Sequence, residues 1–186
     1  DKLVEFAYAG KGQISAWPFP PFKGLQASID GLKDLEAKYE PNKYDAADGD
    51  ARLTAAGYTK DSEGFWADSA GERIKCNIVS FSLWTDLGPV LAETLKQHGI
   101  ESSYSEPTDA YDQMAGGTYE CGLFGHNGAQ SGNLYRTLNL YTTGNPETLF
   151  QYSNPDFDAI VKELGDTADE AKVRELEQAA MDIWLQ

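Results

Sequence analysis

Two Asp-Ser-x-Gly units stand close together, Asp61-Ser62-Glu63-Gly64 and Asp68-Ser69-Ala70-Gly71. Carboxylates and hydroxyls at such short spacing raise the chemistry of a calcium loop. That loop needs oxygen ligands at several alternate positions and a closing Glu. Here Phe65, Trp66 and Ala67 fill the middle. Asp at the first position and Gly at the fourth is also the pattern of a type I turn. The pair therefore reads as two turns flanking a short aromatic segment. They make a small hairpin that leads into a strand, where Ile74, Cys76 and Ile78 alternate.

Cys76 and Cys121 each lie inside an apolar stretch. With two cysteines, two histidines, no C-x-x-C and no H-x-x-x-H, the ligand spacing of a zinc site is missing. The cysteines read first as two buried free thiols. A disulfide stays open if the strands bring their Cα atoms within about 7 Å. Both are expected on neighbouring strands at the centre of a sheet.

His98 precedes a glycine at a helix end and reads as a solvated helix terminus. His126 lies in Phe124-Gly125-His126-Asn127-Gly128-Ala129-Gln130-Ser131-Gly132-Asn133, directly after an expected strand. His126, Asn127, Gln130 and Asn133 could donate and accept hydrogen bonds to a ligand, and a merely flexible polar loop is the competing reading. The matching loop after the first strand is Ser80 to Asp86, with Phe81 and Trp84 as candidate ligand platforms or as core. No phosphate loop, no G-x-G-x-x-G and no G-x-S-x-G elbow occurs. No set of nucleophile, base and orienting group can be named, which speaks against an enzyme such as an α/β hydrolase. No cofactor, metal site or catalytic residue is expected.

These candidates need a scaffold. The chain has 186 residues, enough for one compact domain with a substantial core. It is 41% hydrophobic and 12% aromatic, ordinary for a globular protein. Thirty acidic residues against fifteen basic give a net charge of −15, which repels nucleic acid and anionic membranes. No run of about 18 apolar residues is present to span a membrane. Neither end looks natural, so the chain reads as a piece of a larger protein.

Residues 1–24 are rich in Gly, Pro and aromatics and read as an extended lead-in, because Pro18, Pro20 and Pro21 forbid regular structure there. Residues 25–186 read as a single α/β domain. The spacing of Leu32, Leu35 and Tyr39 predicts a helix over 25–39, ended by Pro41. A second helix covers 45–56, with Gly57 as its C-terminal cap. Beyond the hairpin the order is strand, helix over 87–99, strand over 100–105, helix over 109–115, strand over 119–124. A helical segment over 133–141 follows. Asn154 caps a helix with Pro155 in its first turn and Phe157, Ile160, Val161 and Leu164 inward. Asp169 caps the last, with Val173, Leu176, Ala180 and Ile183 inward. Alternation of this kind implies a mainly parallel sheet flanked by helices. Ligands in such folds bind beyond the carboxyl ends of the strands.

Several stretches together resemble the extracellular solute-binding protein family 5, the peptide- and oligosaccharide-binding proteins of ABC importers. They are ARLTAAGY at 51–58, the Gly64-Phe65-Trp66-x-Asp68 hairpin, LGPVLAETLKQHGIE at 87–101 and Asn154-Pro155-x-Phe157-Asp158. The opening DKLVEFAYAGKG is similar too. The resemblance implies one lobe of a type II periplasmic-binding-protein-like fold, and a periplasmic or extracellular, monomeric, non-enzymatic protein. It also implies a small-molecule ligand and an ABC permease as partners. Peptide binders of the family carry an acidic residue in a G-W-x-x-D loop that pairs with the peptide amine; Gly125-His126-Asn127-Gly128-Ala129 has no acid. YRTLNLYTTGN at 135–145 and AAMDIWLQ at 179–186 are similar to the cello-oligosaccharide-binding branch. A neutral oligosaccharide is therefore the expected ligand, with an oligopeptide as the alternative.

Overall fold

A computed structural model describes residues 4–5, 8–12, 15, 17–19, 23–41, 43–125, 132–149 and 151–186. In chain order, α1 is Gln26–Gly31, α2 Lys33–Tyr39, α3 Ala46–Ala55, β1 Thr59–Lys60, β2 Trp66–Ala67 and β3 Lys75–Ser80. Then follow α4 Gly88–Gln97, β4 Glu101–Ser105, α5 Ala110–Ala115, β5 Cys121–Leu123, α6 Tyr135–Asn139, α7 Pro155–Asp166 and α8 Glu170–Trp184. The chain forms two compact units, one of residues 1–14 and 44–124, the other of residues 15–43 and 125–186. This cut differs from the boundary at residue 24 that composition suggested, because residues 15–43 associate with segments more than a hundred positions away.

In the first unit, β3 is the middle of a parallel sheet of order β4-β3-β5. Lys75 pairs with Glu101 and Val79 with Ser105 on one side, and Ile78 pairs with Cys121 and Ser80 with Leu123 on the other. Parallel neighbours need a crossover, and α4 and α5 supply them. Trp66, Ala67, Ile78, Val79, Ala92, Ala110 and Met114 are buried. The expected sheet is thus present, with strand ends trimmed by a residue or two.

The Asp-Ser-x-Gly units are turns. The Gly64 amide donates to the Asp61 carbonyl at 3.0 Å, and the Gly71 amide to the Asp68 carbonyl at 3.0 Å. Asp61 Oδ1 accepts from the Glu63 and Phe65 amides, and Asp68 Oδ1 from the Ala70 and Glu72 amides. Each Asp thereby satisfies its own loop. The first turn folds β1 antiparallel onto β2, and the second returns the chain so that Arg73 bridges to Ala67. Arg73 Nε pairs with the other Asp61 oxygen at 2.6 Å and its guanidinium covers Phe65, which locks the hairpin to β3.

Two readings of this unit need correction. Cys76 and Cys121 do sit on neighbouring strands, but they are disulfide-bonded, with Cα atoms 5.2 Å apart, not free thiols. Parallel pairing of β3 with β5 brings the two within bridging distance. His98 is half-buried rather than simply solvated, and its Nε2 lies 3.0 Å from the Tyr44 hydroxyl. In the lead-in, Val4, Glu5 and Tyr8 are helical. The prolines that exclude regular structure lie downstream of them.

The second unit is helical. Its core joins Phe19, Leu25, Leu32, Leu134, Leu138, Tyr141, Phe157, Val161, Leu164, Val173, Leu176, Ala180 and Met181. Asn154 Oδ1 caps α7 by accepting from the Asp156 and Phe157 amides, and Asp169 Oδ1 caps α8 by accepting from the Lys172 amide. The single helix expected over 25–39 is broken at Leu32, between α1 and α2. An unbroken helix would use the Gly31 carbonyl four residues on. Here Gln178 Nε2 of α8 donates to it at 2.5 Å, and Leu32 turns fully inward. Glu177 of α8 is 1% exposed and accepts from the Ser28 hydroxyl and the Leu134 amide, with Arg174 beside it. Burial pushes its carboxyl above the ordinary range, against the pull of Leu134, Arg174 and Ser28.

Candidate functional site

The carboxyl ends of β3, β4 and β5 meet at one edge of the first unit. Phe81 follows β3 in extended conformation and Phe124 follows β5. Their rings meet edge to face, with centroids 5.9 Å apart. Both strands run the same way, so the residues leaving them are neighbours. Below them, the buried Ser80 hydroxyl donates to the Leu123 carbonyl at 2.8 Å and fastens the two strand ends together.

Ser82–Trp84 then form one turn of 3₁₀ helix. The Trp84 amide donates to the Phe81 carbonyl and the Leu87 amide to the Trp84 carbonyl, each at 3.0 Å. Leu83 projects outward and is 84% exposed. Trp84 and Phe81 are half-buried, so neither belongs to the core. A half-buried indole can take an apolar surface while its N–H stays available to a polar partner.

The turn is fixed from the side of β4. Glu106 Oε1 accepts from the Tyr104 hydroxyl at 2.7 Å and lies 2.7 Å from the Thr85 hydroxyl. The Thr85 hydroxyl, with one proton to give, shares it with the Ser82 carbonyl at 2.8 Å. The Thr85 and Tyr104 hydroxyls hold the Glu106 carboxyl below the usual carboxylate range. The Tyr104 hydroxyl is pushed up to about 12, first by loss of water and then by the Glu106 carboxylate. Both groups keep one charge state throughout the neutral range.

The structure brings Phe81 and Trp84 together at this edge. Asn133 belongs to the second unit, where its Oδ1 accepts from the Tyr135 amide. There it lines a cavity of about 750 Å³ with Ala27, Thr167, Glu170 and Arg174. His126, Asn127 and Gln130 lie outside the described residues. Sequence reasoning missed Tyr104, Thr85 and Glu106. Their positions immediately at or beyond the ends of β3 and β4 were the available signal. Among the described residues, no group of His, Cys, Asp or Glu side chains is placed to hold a metal ion. No described helix is long and apolar enough to cross a membrane.

No protein-family model matches the chain, and no curated protein matches it. Solved structures do. A mannohexaose-bound oligopeptide ABC transporter, periplasmic oligopeptide-binding protein of Thermotoga maritima, aligns over 99% of this chain with a TM-score of 0.83 and 24% identity. The chain shares its fold. NikA of Brucella suis in complex with Fe(III)-EDTA aligns over 99% of this chain with a TM-score of 0.74 and 15% identity. OppA of Haemophilus influenzae in complex with RPPGFSPFR aligns over 100%, with a TM-score of 0.67 and 16% identity. The chain spans 36%, 37% and 35% of those three chains. Its architecture is therefore one lobe of a type II periplasmic-binding-protein-like fold, α/β with a parallel sheet flanked by helices. This likeness agrees with the resemblance carried by the sequence motifs.

Proposed function

We propose that the chain is one lobe of the substrate-binding component of an ABC importer, and that the ligand is a neutral oligosaccharide such as a cello-oligosaccharide. The fold likeness over nearly the whole chain carries the proposal. Such a component is a binding protein and not an enzyme. It would work as a monomer that closes on its ligand and is then read by the membrane permease. The disulfide supports an oxidising compartment, periplasmic or extracellular.

Trp84 and Phe81 are the proposed aromatic platform. Sugar rings present apolar C–H faces that a flat indole can cover. The neutral donors and acceptors of His126, Asn127 and Gln130 suit the hydroxyls of a sugar. The mannohexaose in the Thermotoga maritima protein favours a sugar. The RPPGFSPFR in the Haemophilus influenzae protein favours the second reading, an oligopeptide. Glu106 offers that reading a carboxylate for an ammonium group.

Trp84→Ala in the full-length protein tests the platform. Calorimetric titration with cellohexaose should show affinity reduced about thirtyfold, the loss of a hot spot of ~2 kcal/mol. The melting temperature should change little, because the indole is only half-buried. A large fall in melting temperature with unchanged affinity per folded molecule would place Trp84 in a structural role instead. Wild-type protein that binds RPPGFSPFR and ignores cellohexaose and mannohexaose would select the peptide reading.

A further inference from the structure

The turn that carries Trp84 is short and mostly exposed, and its own backbone bonds are few. A carboxylate oxygen of Glu106 also reaches it from beyond β4. Glu106 Oε1 receives the Tyr104 hydroxyl from β4 and the Thr85 hydroxyl from the end of the turn, both at 2.7 Å. The Tyr104 ring is in turn wedged against Gly88 at the start of α4, where even one added carbon would stand 1.9 Å from its Cε2. The ring cannot swing that way, so its hydroxyl is a fixed point. Glu106 links that fixed point to the turn.

We infer that Glu106 is a positioning residue for the ligand: it holds the Ser82–Trp84 turn so that the Trp84 indole stands ready to receive a ligand face. The inference rests on the platform reading of Trp84. Its physical content is preorganisation. A turn that samples several conformations binds with an affinity reduced by the fraction of time it is competent. If the untethered turn is competent for about one-fifth of the time, affinity falls about fivefold. The chemistry asks for an acceptor and not for a charge, since one oxygen takes both hydroxyls. The amide oxygen of glutamine can accept both as well.

The test compares Glu106→Ala, Glu106→Gln and Trp84→Ala in the full-length protein. The first readout needs no ligand. It is acrylamide quenching of the Trp84 fluorescence, isolated as the difference from a Trp84→Phe protein. Glu106→Ala should raise the quenching rate, and Glu106→Gln should leave it at the wild-type value. The second readout is calorimetric affinity for cellohexaose and mannohexaose, expected to fall about fivefold in Glu106→Ala and less than twofold in Glu106→Gln. Tyr104→Phe, which keeps the ring and removes its donor from the same oxygen, should behave like Glu106→Ala and serves where that variant fails to fold. Unchanged quenching in Glu106→Ala and Tyr104→Phe would overturn the positioning role. So would a Glu106→Gln protein as weak as Glu106→Ala, which would assign the carboxylate charge directly to the ligand. If Trp84→Ala leaves affinity intact, the platform reading fails and the inference with it. If Trp84→Ala weakens binding and Glu106→Ala does not, only the positioning role falls.

Discussion

Gly88→Ala should destabilise the first unit by about 3 kcal/mol, the upper range for forcing extra volume into a packed site. Gly88 opens α4 and is buried. A Cβ there would stand 1.9, 2.2 and 2.5 Å from three carbons of the Tyr104 ring. The backbone conformation is not the obstacle, because its φ is not in the left-handed region. Alanine would on those grounds be favoured over glycine in a helix by about 1 kcal/mol. The overlap outweighs this gain, since no atom can approach a ring carbon at such a distance. The ring could retreat only by dragging its hydroxyl from Glu106. Urea denaturation of the wild type and the variant measures the loss as a lower midpoint. A second comparison isolates the cause. Adding Tyr104→Ala to Gly88→Ala should cost less than the sum of the two single changes, because the clash has no second partner. A Gly88→Ala protein as stable as the wild type would show that Tyr104 has another resting place.

Gly88 marks a boundary between what the chain reveals locally and what it does not. The residues 87–99 read as a helix from spacing alone, and α4 occupies 88–97. Nothing in that spacing says that a ring from β4 lies on its first turn. The same division runs through the molecule. Asp61, Asp68, Asn154 and Asp169 act on amides two to four residues away, so their roles as turn and cap residues were legible. The parallel sheet was legible because strands and helices alternate, and crossovers then leave few topologies. The break at Leu32 was not. It depends on Gln178, which reaches the Gly31 carbonyl from 147 positions away. Glu177 was hidden for a related reason. A glutamate on an otherwise charged helix reads as solvated, and only the packing of Ser28 and Leu134 against α8 makes it a buried acceptor.

The candidate site divides in the same way. Phe81 and Trp84 could be found because they directly follow a strand whose end was predictable. Their half-exposure is a property of the folded unit. The link from Glu106 to Thr85 crosses between two strand ends, 21 positions apart, and needs the β3–β4 register before it can be seen.

Removing the disulfide should have the largest effect of all. In Cys76→Ala/Cys121→Ala, the unfolded chain regains the freedom of a 45-residue loop. The chain-entropy account puts that at roughly 4 kcal/mol, and native bridges of small exported domains fall in a range of about 2–5 kcal/mol. The position of the bridge favours a large value. β5 is three residues long, and its sheet pairing is with β3, through Ile78–Cys121, Val79–Gly122 and Ser80–Leu123. A short edge strand has few hydrogen bonds of its own to hold it, so the covalent tie supplies much of its attachment. Dithiothreitol on the wild-type protein should reproduce the effect of the double substitution, and hydrogen exchange should rise first in β5. Phe124, which follows β5 and packs on Phe81, would loosen with it. This edge of the sheet would then lose order before the sheet unfolds. A thiol titration of the unfolded, unreduced protein checks the premise directly. It should find no free thiol, and two reactive thiols per chain would return the cysteines to the unpaired state that composition first suggested.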